Sequence, residues 1–120
     1  MASILVHITS GPERPSQVAL GMLVARTALE DGHSVTLFLA SDAVQVIRDP
    51  LLDSMQGVGL GSVREHFDGI AAAGGEVYLS KMSSAARGVT DDDVRDKPAR
   101  WATPHDLVRL IVEHDRTVTY

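Results

Sequence analysis

Three short apolar runs limit what this chain can fold into. Ser3-Ile4-Leu5-Val6-His7-Ile8, Val35-Thr36-Leu37-Phe38-Leu39 and Val77-Tyr78-Leu79 are almost continuously apolar and bounded by turn residues, the pattern of strands buried on both faces rather than one. Between them lie segments with helical spacing. Ser16 to Asp31 places Val18, Met22, Ala25 and Leu29 on one face, with Gly32 where a C-terminal cap belongs. Ser62-Val63-Arg64-Glu65 has the capping-box pattern and predicts a helix running to Gly74-Gly75. Strands buried on both faces and alternating with helices imply a parallel sheet, because parallel neighbours need a crossover and right-handed crossovers lay helices on the sheet. The expected fold is an α/β three-layer α/β/α sandwich with a mainly parallel sheet of four to five strands.

The remaining elements are shorter. Ser41-Asp42 predicts the cap of a brief helix that Pro50 ends, and Thr90-Asp91-Asp92-Asp93 opens another that Lys97-Pro98 closes. Thr103-Pro104 starts a helix whose buried face is marked by Leu107, Leu110 and Ile111, and Arg116 to Tyr120 alternates like a strand. Leu51 to Leu60 carries no clear period. A fifth strand fits either there or at Arg100 to Thr103, and Trp101 reads as a loop residue that anchors packing or a subunit interface.

With 120 residues and no linker, repeat or low-complexity tract, residues 1–120 are expected to form one domain. The net charge of −5, with basic side chains dispersed, argues against nucleic acid or an anionic membrane as a partner. No leader-like start and no long apolar run is visible, so a cytoplasmic protein is expected. Cysteine is absent, which excludes disulfides, zinc-thiolate and iron-sulfur sites and a cysteine nucleophile from this chain. His7, His33, His66, His105 and His114 form no metal-type pair. Neither a metal nor a cofactor is implied.

In parallel α/β sheets, ligands bind beyond the carboxyl ends of the strands. That rule selects Thr9, Ser10 and Gly11 after the first strand, Asp42 after the second, and Ser80, Ser83 and Arg87 after the third as candidate ligand-binding residues. Arg87 has the fork geometry to hold a small anion. Gly57-Val58-Gly59-Leu60-Gly61 lacks the lysine and serine of a phosphate loop and reads as a turn into the capped helix. His7, near the end of a central strand, is either a core histidine or an acid-base group. With Ser80 and Arg87 it defines an alternative reading as an enzyme of unknown chemistry, although Ser80 lacks the context of a hydrolase elbow.

The stretch Val77 to Gly88, with I-L-V-H-I-T-S-G-P-E and H-S-V-T-L-F-L-A-S-D-A-V, resembles the DsrE/DsrF-like family, which includes TusD-type sulfur-relay subunits. The resemblance spans essentially the whole chain. It implies a five-stranded, mainly parallel sheet and assembly as a homotrimer, a hexamer or a hetero-oligomer, and a homo-oligomer, a trimer or hexamer, is expected here. It also implies a persulfide-carrying cysteine eight residues before the glycine of Arg87-Gly88, a position held here by Ser80. A serine hydroxyl ionises far above neutrality and forms no persulfide, whereas a thiolate is accessible near neutral pH. The expected role is therefore a non-catalytic protein that binds a small anionic ligand or a partner.

Overall fold

A computed structural model describes all 120 residues. β1 (Ser3–Ile8), α1 (Pro15–Glu30) and β2 (Ser34–Leu39) form the first crossover unit. A 3-10 helix (Ser41–Ile47) and α2 (Asp49–Ser54) follow, then a small antiparallel hairpin of β3 (Gln56–Gly57) and β4 (Gly61–Ser62), and α3 (Val63–Ala72). The second half contains β5 (Glu76–Ser80), α4 (Lys81–Arg87), α5 (Asp91–Val94), β6 (Ala99–Ala102), α6 (Pro104–Glu113) and β7 (Arg116–Thr119).

The main sheet has the order β6-β5-β2-β1-β7, and every neighbouring pair is parallel. Strands β1, β2, β5 and β6 are laid down in one direction, so right-handed crossovers put α1 and α3 on a single face. The chain then returns across the sheet through α6 to place β7 beside β1, which puts α6 on the opposite face. Parallel register carries this division through the side chains: Val6 pairs with Leu37, Leu37 with Val77, and Leu39 with Leu79. These residues belong to a large core with Val18, Met22, Phe67 and Ile70. On the other face Leu5 and Phe38 pack with Ala102 and Leu110 in a much smaller cluster.

The three-layer α/β/α fold and the parallel sheet of the sequence analysis are present, and the fifth strand lies at Ala99–Ala102, close to the second of the two expected positions. Trp101 is therefore a strand residue and not a loop residue. Leu51 to Leu60 instead holds the end of α2 and most of the hairpin, and the glycine-rich stretch forms its turn. Pro50 does not end a helix. It occupies the first turn of α2, where its missing N–H costs nothing and its fixed φ suits the helix. The segment before it is a 3-10 helix with Ala43, Val44, Val46 and Ile47 all buried. Ile111, expected on the buried face of α6, is 44% exposed, because Leu110 alone is fully inserted and α6 rests on only one side of the sheet.

Candidate functional site at the carboxyl ends of the strands

The loops after β1, β2 and β5 meet along one edge of the sheet, as parallel order demands. Gly11 is pressed against the backbone of Asp42: a Cβ at Gly11 would lie 2.2 Å from the Asp42 carbonyl oxygen, so only glycine permits this approach. Its N–H is held by Glu13 Oε1 at 2.5 Å. Ser10 is buried beside it. Thr9 turns elsewhere, donating both its N–H and its hydroxyl to the Tyr120 carbonyl at 2.7 and 3.0 Å, which extends the pairing of β1 with β7.

Ser80 closes β5 and caps α4, its hydroxyl accepting from the Ser83 N–H at 3.2 Å. The Ser83 hydroxyl in turn accepts from the Ser41 N–H at 2.9 Å. Arg87 completes the linkage, donating from Nε to Asp42 Oδ1 at 2.9 Å, from Nη1 to the Ser83 carbonyl at 3.2 Å and from Nη2 to the Ser41 hydroxyl at 3.4 Å. One turn of α4 is thus fastened to the start of the 3-10 helix. Gly11, Asp42, Ser80, Ser83 and Arg87 are brought together, while the hydrogen bonds of Thr9 tie it to the β7 side.

Two residues that the sequence did not mark as ligand-binding also shape the site, and Ser41, expected as a helix cap, is instead the first residue of the 3-10 helix, which has Ala40 as its N-cap and no side-chain cap. Ser41 has a left-handed backbone, φ 54°, a conformation that costs a non-glycine residue roughly 1–2 kcal/mol. Its bonds to Ser83 and Arg87 hold it there. No sequence pattern marks such a serine, since serine is not a favoured left-handed residue. Arg48 donates to the Arg87 and Gly88 carbonyls at 3.1 and 2.6 Å, satisfying the end of α4 where Gly88 takes φ 70°, and it also reaches Asp93 at 3.5 Å. The Asp93 carboxyl is held below its ordinary range mainly by the Thr90 N–H, with Arg48 assisting.

His7 lies on the same face of the sheet as Ser80 but two strands away, since β2 separates β1 from β5. Two strand spacings amount to about 10 Å, beyond hydrogen-bond reach. Its ring stands edge-on to Phe38, with centroids 5.7 Å apart, and its Nε2 is buried without a partner. Burial pushes its pKa below the ordinary 6.5. The geometry is that of a half-buried ring packed on Phe38, not of a group poised against Ser80. His114 bonds the Leu110 carbonyl at the end of α6 and the Thr36 hydroxyl at 3.0 Å.

The full-length match decides the ancestry: the sequence fits the DsrE/DsrF-like family over residues 2–120. The chain belongs to that family. Among relatives of this DsrE-like chain is the uncharacterized protein MJ0989 of Methanocaldococcus jannaschii, 28% identical over 115 residues and covering 96% of both sequences. Among solved structures, the crystal structure of ychN protein from E. coli superposes with a TM-score of 0.79 at 19% identity, covering 100% of both chains, and shares the fold. This DsrE-like chain is thus related to sulfur-relay proteins and lacks the cysteine that persulfide transfer requires. No group of its histidine and carboxylate side chains is arranged to hold a metal ion, and no helix is long and apolar enough to cross a membrane.

Proposed function

We propose that this DsrE-like chain is a non-catalytic binding subunit of a homo-oligomer, and that the crevice of Ser10, Gly11, Asp42, Ser80, Ser83 and Arg87, without Thr9, receives a small ligand or a partner's surface. The observation that carries this reading is the engagement of Ser80: the hydroxyl at the expected cysteine position caps α4. An oxygen that accepts a backbone N–H, with no base beside it, is a structural group. The Arg87 guanidinium is already matched by Asp42, so an anionic ligand must compete with that carboxylate. This favours a partner that exchanges hydrogen bonds with the linkage over a free, strongly held anion.

Assembly is supported by the outer side of α6. Val108 and Val112 are 60% and 79% exposed and, with Ile111, form an apolar stripe at helical spacing. Antiparallel pairing of two such helices about Ile111 would bury this stripe and set Arg109 of each helix opposite Glu113 of the other.

The test is sulfur loading followed by intact-mass measurement. Incubation with a persulfide donor is expected to leave the native chain unmodified, whereas Ser80→Cys, with a thiol at the helix cap, gains sulfur. Loading of the native chain overturns the non-catalytic reading. Failure of the folded Cys variant to load overturns the assignment of position 80 to the relay position.

A further inference from the structure

Residues 90–98, which join α4 to β6 and contain α5, are attached to the molecule almost entirely through side chains. Their backbone hydrogen bonds are local: Asp93 donates its N–H to the Thr90 carbonyl and Lys97 to the Val94 carbonyl, both at 3.0 Å. No residue of the stretch is fully buried, and only Val94 packs on the core. The free energy of local opening follows buried apolar contact and hydrogen bonding to the rest of the fold. By both measures this stretch lies at the low end, while β2 and β5 lie at the high end.

Three side-chain contacts fasten it. Lys97 Nζ lies 3.0 Å from Asp49 Oδ1 at the start of α2, Arg48 Nε lies 3.5 Å from Asp93 Oδ2, and Trp101 Nε1 donates to Asp91 Oδ1 at 2.9 Å. The Lys97 contact is the strongest constraint. Its side chain is 8% exposed and its Nζ also donates to the Asp93 carbonyl at 3.0 Å, and a buried ammonium that loses its carboxylate is left uncompensated. Arg48 connects the stretch to the crevice. The guanidinium that meets Asp93 also holds the Arg87 and Gly88 carbonyls, and the Arg87 side chain is paired with Asp42.

We propose that residues 90–98 form a strap that opens and closes as a unit while the sheet stays folded, with the Lys97–Asp49 pair as its latch and Arg48 as its link to Arg87. An occupant that draws Arg87 away from Asp42 shifts the end of α4 that Arg48 holds, and the strap responds. The latch stands by itself, whereas the link rests on the reading of the crevice given above.

Endoproteinase Asp-N tests the strap, because it offers Asp91, Asp92, Asp93 and Asp96 and intact mass identifies the cut. With rates corrected against a free peptide, the native chain is expected to be cut there at a rate that sub-denaturing urea leaves unchanged, since local opening exposes little surface. Lys97→Met and Asp49→Asn are each expected to speed this cut about tenfold. Circular dichroism establishes that both are folded. Asp42→Asn, which frees Arg87 as an occupant does, is expected to speed it by a smaller factor. A strap cut whose rate rises with urea as steeply as global unfolding overturns the independent opening. Native rates in both folded latch variants overturn the latch, and a native rate in Asp42→Asn overturns the link. Sulfur loading at position 80 is independent of all three results, so a failed strap and a failed reading of the crevice are told apart.

Discussion

Arg87 and Asp42 lie 45 positions apart in sequence and meet with Nε 2.9 Å from Oδ1, joining the helix after β5 to the turn after β2. The pair is partly exposed, so the charge attraction alone is worth about 1 kcal/mol or less. The guanidinium also binds Ser41 and the Ser83 carbonyl. Arg87→Ala is therefore expected to cost about 1–2 kcal/mol. Arg87→Lys should recover less than half of this, because an ammonium cannot reproduce the planar fork. Urea denaturation of the single and double Arg87 and Asp42 variants gives the coupling between them, and strict additivity contradicts the linkage.

Ser80→Ala removes the α4 cap and is expected to lower stability by about 1 kcal/mol. Ser80→Thr keeps the oxygen acceptor and should stay nearer to the native protein. Equal thermal stability of all three proteins would show that the cap contributes nothing.

Gly11→Ala places a methyl group against the Asp42 carbonyl and must push the first two loops apart. Overpacking of this kind costs about 1–3 kcal/mol or more. The same change at Gly32, where a Cβ meets nothing but φ is 90°, strains only the local backbone. The informative readout is proteolysis in the Thr9 to Asp42 region, which should quicken for Gly11→Ala alone.

The folded pKa of His7 lies below its ordinary 6.5 because of burial. The unfolded chain then binds a proton more readily than the folded one. The contribution of His7 to stability is accordingly highest above pH 6.5 and falls as pH drops from there through the folded pKa. His7→Leu should flatten the melting-temperature profile in that window. NMR titration of the native ring should give a value below 6.5.

Asp49, Asp93, Asp106 and Asp115 behave in the opposite range. The Arg64 side chain lowers the first, and the N–H groups of Thr90, Thr103 and Ser3 lower the others, from an ordinary 3.8. Depressed carboxylate pKa values give stability that is present above the unfolded value and is lost as pH falls through the folded ones. The contribution of these carboxylates to the melting temperature should therefore hold down to about pH 4 and decline below it. Asp106→Asn should make that decline shallower in circular dichroism melts.

Much of this architecture is legible in the chain because burial on both faces writes itself as unbroken apolar runs. β1, β2 and β5 are of that kind. β6 is harder to see: Ala99-Arg100-Trp101-Ala102 is an edge strand with a charge in it, and edge strands have no neighbour to enforce a pattern. Pro50 misleads because the same residue stops one helix and starts another, and only the preceding backbone distinguishes the two. Ile111 misleads because helical period locates a face without saying what covers it. For the crevice, the strand-end rule selects Asp42, Ser80, Ser83 and Arg87, which the fold brings into one linkage. Their mutual bonds, and the parts played by Ser41 and Arg48, depend on tertiary distances that no local pattern encodes.

The alcohol that seals the first turn of α4 has a further consequence for how the molecule responds to its surroundings. Peroxide or alkylating reagents that would silence a sulfur nucleophile have no purchase on this oxygen, so the junction between β5 and α4 stays closed under oxidising and reducing conditions alike. Oxidants and reductants therefore have no covalent handle on the oxygen at position 80.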